Sequence, residues 1–148
     1  MAAAALLPLL VGDASGDVAG APRSAFPKNT AAFRAKFGAP FTNKLIGEAN
    51  NARSLRGLPP AKIVYKGYGI FQYDLQHVLT DQDFFENLRW HTMSACLAKL
   101  ALELDRTFAD SHGDVRGGVR RYNGSGPNAE TYADHVMAFA EFAQPIAG

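Results

Sequence analysis

With 148 residues, 47% of them hydrophobic and 20% charged, the chain has the size and balance of one globular domain with a substantial core. A formal charge of +1 offers no basic footprint for nucleic acid or an anionic membrane. The single cysteine, Cys96, excludes an internal disulfide and reads as a core filler. Neither a cysteine pair nor clustered histidines point to zinc.

The opening run from Met1 to Val11 is apolar but short and is interrupted by Pro8. It falls well below the roughly 20 apolar residues of a transmembrane span, so no transmembrane anchor is expected. It lacks the positive charge that opens a secretory signal. A helix packed on the domain fits it, and so does the stump of a longer natural chain carrying further domains. Residues 12–30, rich in Gly, Ala, Asp, Ser and Pro, read as a connector without its own core. The expected division is therefore 1–30, an N-terminal apolar segment and connector, and 31–148, the folded domain.

Asn29 or Thr30 can cap a short helix with Phe33 and Phe37 at i, i+4 spacing. Gly38-Ala39-Pro40 breaks it, and a second helix starts at or just before Thr42. On that helix Phe41, Leu45, Ala49 and Ala52 share one arc, and Glu48 falls inside it. A carboxylate is thus aimed where the pattern demands apolar side chains. Burial disfavours its charged form, which is the condition for a general acid near neutral pH. The plainer alternatives are a rim glutamate or one paired with Arg53 or Arg56.

From Asn51 to Pro60 the pattern dissolves into a loop. Ala61 to Asp74 is β-branched, aromatic and punctuated by Gly67 and Gly69, which predicts a short strand or hairpin followed by a tight turn. Asp81 to Asn87 reads as a helix start, with a solvated acidic cluster of Asp81, Asp83 and Glu86. Leu88 to Phe108 is expected to be the longest helix. It is apolar around most of its circumference, and hence central and buried. Val115 to Tyr122 is a short helix weakened by Gly117 and Gly118, and Asn123 to Pro127 is a loop. Asn128 can cap a final helix carrying Tyr132, Val136 and Phe139 on one face. The expected fold class is α+β, mostly helical, with a small β-hairpin beside a cleft that has Glu48 on its wall. The four histidines His77, His91, His112 and His135 are scattered, and core or surface roles suit them better than ligation or proton transfer.

Three segments then line up: Glu48 on its helix, the turn Gly69-Ile70-Phe71-Gln72, and the loop Tyr122-Asn123-Gly124 before a final helix. Their order and spacing resemble the goose-type lysozymes and soluble lytic transglycosylases of the lysozyme superfamily, over roughly residues 40–142. Ala49 stands where the family usually has Ser, and Phe71 where Met is common. The resemblance implies a lysozyme-like catalytic domain over 31–148, with no metal or organic cofactor. It implies a peptidoglycan-cleaving glycosidase, acting between N-acetylmuramic acid and N-acetylglucosamine, with Glu48 as general acid. Chitin oligomers are a secondary substrate, and a periplasmic or secreted location follows from the substrate. Asp74 lies where goose-type lysozymes carry an aspartate that positions water. If it faces the cleft, hydrolysis is implied. If it points away, lytic transglycosylation is implied, with the sugar's own N-acetyl and 6-hydroxyl groups replacing protein base and water. Gln72, Tyr122 and Asn123 would contact sugar groups or orient Glu48. Tyr68, Tyr73 and Tyr65 could stack on sugar rings. The rival expectation is a non-catalytic saccharide-binding or scaffold protein on the same fold.

Overall fold

The structure, a computed structural model, describes residues 11–143. The apolar start is therefore outside the described residues except for Val11. The described residues are mostly helical with a small antiparallel sheet, and the chain divides into two compact units, Met1–Ala98 and Lys99–Gly148. That division lies far from residue 30. Among the described residues no helix is long and apolar enough to cross a membrane.

The first unit is built around α1, Thr30–Leu55. Asn29 caps it, its side-chain oxygen accepting from the Ala32 N–H at 2.8 Å. At Gly38 the backbone leaves helical geometry, with φ 82°, two residues before Pro40. Only a residue without a Cβ takes that conformation at little cost, so the break predicted there is real and divides α1 into two helical segments. The Thr42 hydroxyl donates to the Gly38 carbonyl at 2.7 Å and ties the start of the second segment to the break. Phe33, Phe41, Leu45, Ala49 and Ala52 are all buried, as the periodicity requires. Phe26, Phe33, Phe37 and Phe41 form a chain of ring contacts along this face. The helix runs on to Leu55 rather than dissolving at Asn51. Its last turn is held by Arg53, which donates to the Pro59 carbonyl at 2.6 Å.

The sheet is a minimal hairpin of β1, Gly67–Tyr68, and β2, Tyr73–Asp74, paired Gly67 to Asp74 and Tyr68 to Tyr73. Its strands lie at the glycine-punctuated end of the segment read as β. Residues 12–15, expected to begin a connector, pair with the chain leading into β1: Ala14 bridges Tyr65, and Ser15 is buried, as is Val11 before them. The connector is thus built into the first unit's core and does not stand apart from it. Gly12 makes this possible, because a Cβ there would lie 1.5 Å from the Gln72 side-chain oxygen.

Beyond β2 come a 3-10 turn, Leu75–Leu79, the short α2, Gln82–Glu86, and a second 3-10 turn, Arg89–His91. Leu88 enters that second turn in the left-handed region, with φ 52°. This interruption corrects the expectation of a central helix from Leu88 onward. α3 begins only at Met93 and ends at Ala109. Within it Cys96 and Thr107 are buried, whereas Leu97 and Leu102 are exposed. The all-round apolar pattern therefore does not mark the buried helix, and the central place belongs to α1. Trp90, Phe84, Phe85 and Tyr68 complete the core that α1 begins.

The second unit holds the end of α3 with α4, Val115–Asn123, and α5, Pro127–Ala143. The glycine pair that weakens α4 by propensity has a packing reason. A Cβ on Gly118 would lie 1.9 Å from the Phe108 ring. Arg116 bridges Glu130 and Asp134 on α5, and Arg120 reaches Glu130 at 3.3 Å. Ala129 and Ala133 are buried against this arrangement, whereas Phe139 and Phe142 are exposed.

Candidate active site

Glu48 occupies the position its helical phase dictates, one turn beyond Leu45 and beside Ala49, both fully buried. Its side chain is 15% exposed, neither sealed in the core nor free on the rim. Its partner is His91, whose Nε2 lies 2.8 Å from Glu48 Oε2. The other oxygen, Oε1, has the Asn51 amide at 3.5 Å, at the limit of a useful hydrogen bond. Arg53, named above as a possible neutralising partner, is turned instead to the Pro59 carbonyl and the Tyr65 hydroxyl.

His91 carries no signal in the sequence that joins it to Glu48. It lies 43 residues from Glu48, with no local pattern joining them. The turn that carries it is docked by Gly69, with φ 73°. A Cβ there would lie 2.6 Å from Cys96 Sγ and 3.0 Å from Trp90 Cβ. The hairpin turn thus packs its bare backbone on residues 90–96. Trp90 points inward and is fully buried, and His91 sets its ring edge-on to Trp90, centroids 5.4 Å apart, while its Nε2 meets Glu48. The Cys96 thiol donates to the Trp90 carbonyl at 3.3 Å, and burial pushes that thiol upward from its ordinary range.

Tyr68 corrects an expectation. Its ring is buried edge-on against Phe85 and Trp90, so it cannot stack on a sugar. Tyrosine carries a large apolar area, and packing on Phe85 and Trp90 buries it. Tyr65 is buried as well and is equally unavailable. The Tyr68 hydroxyl has no completed hydrogen bond. Burial pushes its phenol far above the ordinary tyrosine range. The Tyr65 main chain pulls the other way, and the nearby Glu48 charge adds to the rise.

Asp74 is the second correction. Its Oδ2 accepts from Arg23 Nη1 at 3.1 Å, and its Oδ1 accepts from Arg23 Nη2. The same Oδ1 caps the following 3-10 turn by accepting from the Gln76 N–H at 2.7 Å. Arg23 is itself anchored to the carbonyls of Phe26 and Pro27. Both carboxylate oxygens are committed to holding residues 23–27 on the hairpin, which does not suit the water-positioning role expected of Asp74.

Gln72 adopts φ 55°, and its amide nitrogen donates to the Gly69 carbonyl at 3.0 Å, closing the hairpin turn. It is exposed at the turn, with its side-chain oxygen against Gly12. Tyr73 is half-buried, stacked on His77 with centroids 4.4 Å apart and backed by Phe84 and Phe85. Glu48, Tyr68, Gln72, Tyr73 and Asp74 all belong to the first unit. Tyr122 and Asn123 belong to the second, at the end of α4. Tyr122 is half-buried, its phenol pushed upward by burial, then by Tyr132 and Glu103, and Asn123 is exposed. Beside the His91 turn an open cleft of about 540 Å³ is lined by Asn87, Leu88, Arg89, Thr92, Ser94 and Ala95. Among the described residues no group of three or more His, Cys, Asp or Glu side chains could hold a metal ion. The chain matches no protein-family model, no curated protein and no solved structure.

Proposed function

We propose that the protein is a lysozyme-like enzyme that cleaves the β-1,4 bond of peptidoglycan between N-acetylmuramic acid and N-acetylglucosamine, with Glu48 as general acid. The observation that carries this reading is the placement of Glu48. It is a carboxyl in the apolar arc of α1, 15% exposed, and held by a histidine rather than neutralised by Arg53. Such a group can carry a proton to a leaving oxygen without being solvated away. Gln72 on the exposed hairpin turn and Tyr73 are the proposed sugar contacts. The location is periplasmic or secreted, where peptidoglycan is found.

The commitment of Asp74 to Arg23 favours one of the two chemical routes. An inverting hydrolase needs a second carboxylate, about 6.5–9.5 Å from the first, to activate water. Without Asp74 in that role, the reading is a lytic transglycosylase. Glu48 gives its proton to the glycosidic oxygen, and the bond from that oxygen to C1 breaks. The substrate's N-acetyl oxygen stabilises C1. Glu48, now a carboxylate, takes the proton of the sugar's 6-hydroxyl as O6 attacks C1. The product ends in a 1,6-anhydro sugar, and Glu48 is reprotonated.

Mass spectrometry of fragments released from purified peptidoglycan tests both parts. A 1,6-anhydro terminus is expected, and a reducing terminus would overturn the transglycosylase route. Glu48→Gln should lower fragment release by about 10²–10⁴-fold with the fold intact. Full activity in Glu48→Gln would remove Glu48 as the acid. A wild type that binds the glycan without releasing fragments would instead support a saccharide-binding protein.

A further inference from the structure

We propose that His91 is the positioning residue of Glu48: its Nε2–H holds Oε2, so that Oε1 is the oxygen that delivers the proton. The proposal rests on the reading of Glu48 as the acid and adds which oxygen acts and what fixes it.

The argument begins with the asymmetry of the two oxygens. Oε2 has a ring nitrogen at 2.8 Å, a full hydrogen bond to a group held in place by its own packing. Oε1 has only a marginal contact to the Asn51 amide at 3.5 Å. A carboxyl that must carry its proton on one oxygen is best fixed by a donor on the other. Imidazole supplies that donor in the tautomer with hydrogen on Nε2. The Glu48 side chain has three rotatable bonds, and a fixed Oε2 leaves Oε1 a narrow range of directions.

The surroundings of His91 are built to hold it. Leu88 takes a left-handed conformation to start the turn, an unfavourable choice for leucine that the neighbouring packing must sustain. The next inward residue, Trp90, is fully buried against Tyr68, Phe84 and Phe85. Gly69 meets the backbone of Trp90 and the Cys96 thiol with no room for a Cβ. Cys96 in turn bonds the Trp90 carbonyl. The ring of His91 therefore stands on a rigid platform assembled from the hairpin and the start of α3.

A packing role for the His91 ring, through its edge contact with Trp90, predicts a different mutational order from a positioning role. His91→Phe keeps an aromatic ring and loses the hydrogen bond. His91→Gln loses the ring and keeps an N–H donor of similar reach. In the full chain acting on purified peptidoglycan, His91→Phe should lower kcat by about ten- to a hundredfold, with KM within twofold of wild type. His91→Gln should recover most of that loss. Near-normal kcat in His91→Phe would overturn the proposal, because packing alone would then suffice. A rise in KM at constant kcat would also overturn it, since it would make His91 a substrate contact. Circular dichroism of each variant confirms that comparison is made between folded proteins. A second measurement needs no turnover: a hydrogen-bonded His91 ring proton on Nε2 should appear in the wild-type NMR spectrum and vanish in Glu48→Ala, which removes the acceptor. Its absence from wild type would overturn the assignment of the donor. Failure of the underlying reading has its own signature, full activity in Glu48→Gln with any order among the His91 variants.

Discussion

The neighbourhoods of Glu48 and Asp74 both place a carboxylate next to the hairpin, and they use it in opposite ways. Asp74 receives a two-pronged guanidinium and a main-chain N–H, so its oxygens are committed to a permanently charged partner and a helix cap. Glu48 meets an imidazole on one oxygen, and its second oxygen is only loosely held. A carboxylate with a fixed cation on both oxygens serves as a tie. One with a spare oxygen keeps a place for a proton. Sequence position alone does not separate the two, because each sits beside apolar residues and near a turn.

The largest effect that would sharpen this contrast is the loss of fragment release in Glu48→Gln, with thermal stability close to wild type. Gly69→Ala comes next. It adds a Cβ at positive φ and at 2.6 Å from Cys96 Sγ, so it should cost about 2–4 kcal/mol by chemical denaturation. It should also lower activity by disturbing the platform under His91. A stable, fully active Gly69→Ala would show that the platform tolerates movement. Asp74→Asn should cost about 1–3 kcal/mol by weakening the tie to Arg23 and the cap on the following turn, while activity per folded molecule stays near wild type. Loss of activity without loss of stability in Asp74→Asn would break the comparison and return Asp74 to the chemistry. The smallest effect is that of Tyr68→Phe. It removes an unpartnered buried hydroxyl and should leave stability at neutral pH within about 1 kcal/mol of wild type or higher.

Tyr68 also sets a direction for alkaline stability. Its folded phenol titrates above the unfolded one, because burial disfavours the anion and the Glu48 charge adds to this. Below the unfolded range, about pH 10, both states keep the proton and the contribution to stability is complete. As pH rises past that range the unfolded chain releases its proton first, so stability falls. Tyr68→Phe should flatten that fall in a denaturation series from pH 8 upward. An unchanged slope would show that other groups govern it.

Much of the first unit is legible in the sequence because its signals are local. The Asn29 cap, the break at Gly38 and the apolar arc of Phe41, Leu45, Ala49 and Ala52 each depend on residues within one or two turns. The hairpin is legible from its glycines, and Glu48 from its phase on α1. The partners that assign roles are not legible. Arg23 reaches Asp74 across 51 residues, and His91 reaches Glu48 across 43, so no spacing rule connects them. Tyr68 is ambiguous because tyrosine suits both a sugar face and a core, and only the neighbours decide between them. The run from Leu88 to Phe108 misled for a related reason. Apolar composition predicts burial only if something covers the helix, and a left-handed turn at Leu88 delayed its start.

Cys96 gives the docked hairpin a built-in clock. It is the chain's single thiol, and it is closed off by the backbone of Gly69 and tied to the Trp90 carbonyl. A thiol reagent can therefore react only when the turn lifts from residues 90–96. The rate of labelling under native conditions reports how often that local opening occurs, separately from global unfolding. The same motion would release the His91 turn, so the labelling rate measures the lifetime of the arrangement on which Glu48 depends.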